Sequence, residues 1–104
     1  MEITYSRKVK FLEDTRETKR EFPNEWKMIL RRKEELERAP TVRDLHYGNP
    51  HPLKGNMQGL MSVTVQGGLR IVFGPAETDS QYGQTHVNWA NVTAIYIVDI
   101  INYH

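Results

Sequence analysis

Residues 92–101 read Val-Thr-Ala-Ile-Tyr-Ile-Val-Asp-Ile-Ile, a run that is apolar at both sets of alternate positions. Such a run, rich in β-branched side chains, predicts a central strand covered on at least one side by helices. A chain of 104 residues has room for one core around it, since a domain of this size buries only roughly 60–70% of the surface its unfolded chain exposes. Residues 1–104 are therefore read as a single domain, and a two-domain enzyme is excluded.

The other elements arrange themselves around that strand. Met61, Val63 and Val65 alternate with Ser62 and Thr64, the period of a strand with one buried face. Gly67-Gly68 supplies positive φ for a tight hairpin, and 69–73 returns before Gly74-Pro75 ends the strand. Upstream, Ile3 and Tyr5 share a face of a short strand over 2–5. Ser6 offers a cap to a weakly amphipathic helix over 7–22. Asn24 offers a cap to a second helix carrying Trp26, Ile29, Leu30 and Leu36 near the 3.6-residue period, which Pro40 stops. The segment 47–52, with two prolines, predicts an extended, irregular connection. The polar stretch 76–91 is longer than most compact connections, and so is either an ordered excursion or a flexible loop. The expected architecture is α+β, in the order β-α-α-β-β-β, with the two N-terminal helices packed on the sheet.

Composition narrows the chemistry. There is no cysteine, which excludes disulfides, thiol catalysis and thiolate metal sites. Four histidines, His46, His51, His86 and His104, show no repeated metal-ligand spacing, so neither a metal nor another cofactor is expected. No P-loop, GxGxxG, GxSxG or HExxH motif occurs. No apolar run approaches the roughly 20 residues of a membrane span, and 1–4 lack signal-peptide character, so a cytoplasmic protein without a membrane partner is expected. The net charge of +1 hides an asymmetry: residues 1–40 hold 11 of the 14 Lys and Arg against 9 acids, and the remainder has three cations against four acids. So nearly neutral a chain predicts little non-specific affinity for nucleic acid, which comes from counterions released by Lys and Arg.

What remains as candidate chemistry is His51-Pro52-Leu53-Lys54-Gly55, Arg70 inside a hydrophobic strand, and Asn102-Tyr103-His104. From pattern alone, Arg70 stands either on a solvated sheet face or on a functional one with Lys54. Lys54 reads equally well as a surface lysine before a turn, and the terminal residues as a frayed end.

Taken together and in order, His-Pro-Leu-Lys-Gly-Asn (51–56), Ser-Val-Thr-Val-Gln-Gly-Gly-Leu-Arg-Ile-Val-Phe (62–73) and Val-Thr-Ala-Ile-Tyr-Ile-Val-Asp-Ile-Ile-Asn-Tyr-His (92–104) resemble the HigB-type killer proteins of the RelE/ParE toxin superfamily. The family pattern is of the form H-x-L-K-G, then a hairpin ending N-[WY]-R-[LI]-x-F, then an acid before a terminal Tyr-His. The chain departs from it at Gly68 for Asn, Leu69 for an aromatic, Asn102 for the acid and Leu60-Met61 for an aromatic. The resemblance covers the whole chain in layout and its second half in motif.

That resemblance implies a small twisted antiparallel sheet against two N-terminal helices. It implies a toxin of a type II toxin–antitoxin system that cleaves ribosome-bound messenger RNA in the A site as a metal-independent endoribonuclease. The implied partners are the ribosome, the messenger, and a cognate, HigA-like helix-turn-helix antitoxin in a hetero-oligomer. The implied catalytic set is His51, Lys54, Arg70, Tyr103 and His104, with Lys54, Arg70, Asn102 and Tyr103 contacting RNA. Cleavage by the 2′-hydroxyl needs a proton acceptor, a proton donor and fixed positive charge on the phosphate, which these residue types supply. Two other readings stand beside it: a non-catalytic ParE-like inhibitor of DNA gyrase, and a degenerate module that binds only an antitoxin.

Overall fold

The computed structural model describes residues 1–102. Its elements run β1 (Glu2–Tyr5), a 3-10 segment (Arg7–Glu13), α1 (Thr15–Glu21), α2 (Trp26–Arg38), β2 (His51–Pro52), β3 (Met61–Gln66), β4 (Leu69–Pro75) and β5 (Ala94–Asn102). Three single 3-10 turns, Val42–Asp44, Gly55–Met57 and Trp89–Asn91, join them. The five strands form one sheet in the order β1-β5-β4-β3-β2.

The α+β layering is as expected, but the sheet is mixed rather than antiparallel. β1 runs parallel to β5, with Ile3 opposite Ile95 and Tyr5 opposite Ile97. The helical segments between β1 and the hairpin provide the crossover that a parallel pair requires. β5 therefore lies between β1 and β4, as its two apolar faces require. It begins at Ala94 because Val92 caps the Trp89–Asn91 turn and its carbonyl accepts from Val42 N at 3.2 Å.

The first helix is not continuous over 7–22. Val9 leaves helical geometry (φ −121°, ψ 19°), and Asp14 is extended. The Asp14 carboxylate accepts from the backbone N–H of Arg16 at 2.8 Å and Glu17 at 3.2 Å, so an Asp inside the expected helix starts a new one. Ser6 precedes the 3-10 segment without a side-chain cap; its Oγ instead donates to Val98 O at 2.7 Å. Nor is Asn24 the cap of α2, where Glu25 stands at that position without a side-chain hydrogen bond. The Met1 ammonium donates to Glu37 O at 2.6 Å and Ala39 O at 2.8 Å, which brings a positive charge to the C-terminal end of α2.

The core lies between the helices and one sheet face, where Val9, Leu12, Ile29 and Leu36 meet Val63, Ile71, Phe73, Ile95 and Ile97. Phe73 also takes the edge of Trp89, with ring centroids 6.5 Å apart. β4 runs through Pro75 rather than stopping at Phe73, pairing Gly74 with Tyr96 and Pro75 with Ile95. Between Val72 and Phe73 the β4–β5 register slips by one residue, leaving Val98 as a bulge whose carbonyl Ser6 occupies.

Candidate functional site

β4 is the middle strand of the sheet, and its alternation decides where Arg70 points. Leu69, Ile71 and Phe73 belong to the helix-side core, so Arg70 and Val72 rise from the opposite face. Across the strands Arg70 stands between Thr64 of β3 and Ile101 of β5, half-buried. The structure puts Arg70, half-buried, on the face away from the helices, a position that suits both a solvated face and a functional one with Lys54.

His51 reaches the same face from β2. The segment expected to be irregular contains a two-residue strand, in which His51 pairs with Ser62 and Pro52 with Met61. Ser62 and Thr64 are on one face of β3, so His51 and Arg70 are two strand spacings and two residues apart, about 12 Å between Cα atoms. Both side chains are long enough to meet on one phosphate from that distance. Lys54 follows two residues after β2, exposed, heading the Gly55–Met57 turn, and forms no ion pair among the described residues.

Asn102 is placed differently. It pairs with Leu69, so its register puts it on the helix-side face rather than beside Arg70. The structure thus groups His51 and Arg70, holds Lys54 on the adjoining turn, and does not bring Asn102 to them. Tyr103 and His104 lie outside the described residues.

Three residues not singled out from the sequence share this face. Ser62 is completely buried, Thr64 is half-buried, and Asp99 pairs in register with Val72. Asp99 Oδ2 accepts from Lys8 Nζ at 3.3 Å. Ser62 and Thr64 were legible as the polar set of an alternating strand; the position of Asp99 depends on the Val98 bulge, which has no signature in the sequence.

The edge of β3 beyond short β2 is closed by other groups. Thr64 N donates to Gly48 O at 2.6 Å, and Thr64 O accepts from Arg32 Nε at 2.8 Å. Arg32 in turn is held by both oxygens of Glu35, at 2.8 and 3.1 Å. Gly48 (φ +78°) and Asn49 (φ +47°) make the turn that brings this backbone alongside. A basic residue of α2 thereby fixes the strand partner of Arg70.

The 76–91 stretch is an ordered excursion. Asp79 accepts from Gln81 N at 2.9 Å and from Thr93 N at 3.2 Å, and Gln81 Oε1 accepts from Asn88 N at 3.1 Å. Together with Gln58, Leu60, Gly74 and Tyr96, its residues Tyr82 and Gln84 line a groove of about 300 Å³ further along β4. Among the described residues, no His, Asp and Glu side chains cluster in threes as a metal would need.

Five strands in this order, with a parallel β1–β5 pair and helical segments after β1, make up a fold shared with solved YoeB-type toxins. Solved structures similar to the chain include a YoeB/ParE toxin from Agrobacterium tumefaciens, with a TM-score of 0.62 at 17% identity over 100% of both chains. Similar also is YoeB of Staphylococcus aureus in its complex with YefM, with a TM-score of 0.60 at 20% identity over 100% of this chain and 97% of that one. The YoeB dimer from the same organism gives 0.59 at 20% identity, with the same coverage. No protein-family model and no curated protein sequence matches the chain.

Proposed function

We propose that the protein is the toxin of a type II toxin–antitoxin system and acts as a metal-independent endoribonuclease on messenger RNA held in the ribosome. The observation that carries this reading is the placement of Arg70 and His51 on the helix-free sheet face of a fold that matches YoeB-type toxins end to end. Two of the similar structures are YoeB-YefM complexes, one of them heterotetrameric, and on that analogy an antitoxin is the expected partner here. The HigB character of the motif and a HigA-like antitoxin remain part of the proposal, since the similar structures are of the YoeB type.

In this mechanism the Arg70 guanidinium forks two oxygens of the scissile phosphate and remains charged throughout. Lys54 adds positive charge as the pentacoordinate phosphorane develops. His51 takes the proton of the 2′-hydroxyl or supplies one to the departing 5′-oxygen, and His104 is proposed for the complementary step. Tyr103 stacks on a base or orients the 2′-hydroxyl.

The decisive experiment incubates the protein with ribosomes carrying a defined messenger and an empty A site, with free RNA in parallel, and maps ends by primer extension. Cleavage on ribosomes alone is expected, and the Lys54→Ala/Arg70→Ala protein should lose at least roughly a hundredfold in rate while unfolding at the same denaturant concentration. A fully active double variant would refute the assignment. The second reading, inhibition of DNA gyrase, is favoured by the near-neutral charge and by the YoeB/ParE description of one similar structure. It predicts a DNA-damage response with intact transcripts.

A further inference from the structure

Two buried side-chain hydroxyls in this protein are treated differently by their surroundings. Thr18 and Ser62 are both 0% exposed. Thr18 Oγ1 donates to Phe11 O at 3.1 Å or Asp14 O at 2.8 Å, whereas Ser62 Oγ has no hydrogen-bond partner among the described residues. A hydroxyl left this way costs stability, and alanine or valine in the same strand would avoid the cost.

The neighbour of Ser62 is His51. Leu53 N donates to Leu60 O at 2.9 Å, and Pro52, which has no N–H, faces Met61. The ladder alternates, so His51 and Ser62 occupy a pair position with Cα atoms about 5.5 Å apart and side chains rising side by side. The His51 imidazole is exposed and makes no hydrogen bond or ion pair among the described residues. Turning it inward brings a ring nitrogen to the hydroxyl, which can donate to a bare nitrogen or accept from a protonated one.

The usual orienting group for a working histidine is a carboxylate or a carbonyl. On this sheet face Asp99 belongs to β5, three strands away from β2, and is already engaged by Lys8 at 3.3 Å. We propose that Ser62 is the positioning residue for His51: its buried hydroxyl receives the inward-turned imidazole and fixes which ring nitrogen faces outward. A hydroxyl in that role holds the ring without adding a charge beside it. The value of the pairing to catalysis rests on the ribonuclease reading; the pairing itself does not.

The test therefore has two arms. Long-range proton–nitrogen spectra of the full-length protein report the hydrogen bonding of the His51 ring nitrogens, assigned by the signals lost in His51→Gln. In the intact protein the ring-nitrogen signals should be displaced from those of a free imidazole, and Ser62→Ala should return them to the free values. In the ribosome assay, Ser62→Ala should lose roughly ten- to a hundredfold in cleavage with an unfolding midpoint equal to or above that of the intact protein. In the His51→Gln background it should lose nothing further. Ring signals indifferent to Ser62→Ala, or an equal loss of activity with and without His51, would overturn the proposal. Absence of cleavage by the intact protein would overturn the ribonuclease reading and leave the ring nitrogens to decide the pairing.

Discussion

Gly48 is required by the space around it as well as by its φ of +78°. A Cβ there would stand 2.9 Å from Arg32 Nε and 3.1 Å from Thr64 O, between the two groups that close the edge of β3. Gly48→Ala should destabilise the protein by about 2 kcal/mol, read as a lower urea midpoint; an unchanged midpoint would mean that the edge closes without this contact. Tyr5 gives a prediction with a sign. Burial, then Glu37 and Glu13, push its phenol from 10.0 up to about 12. The native state thus keeps a proton that the unfolded chain releases earlier. The contribution is complete below pH 10 and is lost as the pH rises through about 12. Tyr5→Phe should lose less stability over that interval, measured by urea unfolding at stepped pH; parallel losses would show that Tyr5 carries none of it. At this scale the sequence made Arg70 visible as a charge within an apolar strand, and alternation placed Ser62 and Thr64 together. It left open whether Arg70 stands on a solvated face or on a functional one with Lys54, because alternation sets the side of a strand and not what gathers there.

Elements became legible where their period was long enough to repeat. Alternation over 61–65 and the glycine pair located the hairpin, whereas the two residues of β2 have no period to recognise. The four of β1 show a face, yet no strand sequence announces whether its neighbour will run parallel. Charged residues either side of Asp14 continue a helical pattern, so the break there is local chemistry overriding period: the carboxylate satisfies two N–H groups that an uninterrupted helix would bind differently. Asp14→Ala should therefore cost about 1 kcal/mol by loosening α1, seen as faster amide exchange over 15–21 with α2 unaffected. The 76–91 excursion depends on Asp79 in a comparable way. Asp79→Ala removes acceptors for Gln81 N and Thr93 N, and limited proteolysis should then cut within 76–91 at a rate well above that of the intact protein. Equal cutting rates would show that packing alone orders it.

Across the molecule, every layer is tied to β5. It carries β1 on one side and β4 on the other, and its inward side chains meet the helical segments. No sub-structure retains a closed core without it, so unfolding should be a single transition. The two tryptophans test this, since Trp26 begins α2 and Trp89 packs on Phe73 at the sheet. Fluorescence from Trp26→Phe and Trp89→Phe proteins, corrected for their stabilities, should follow circular dichroism at the same denaturant concentrations; separated transitions would reveal two cooperative units. The same topology bears on how the protein comes into being. A nascent chain emerges from its N-terminus, and β5 is made after both strands it must join. Until residues 94–102 are free of the tunnel, β1 has no neighbour and the Arg70 strand lacks one of its two. Chains cut short before residue 94 by an interrupted message would never assemble the face that carries His51 and Arg70.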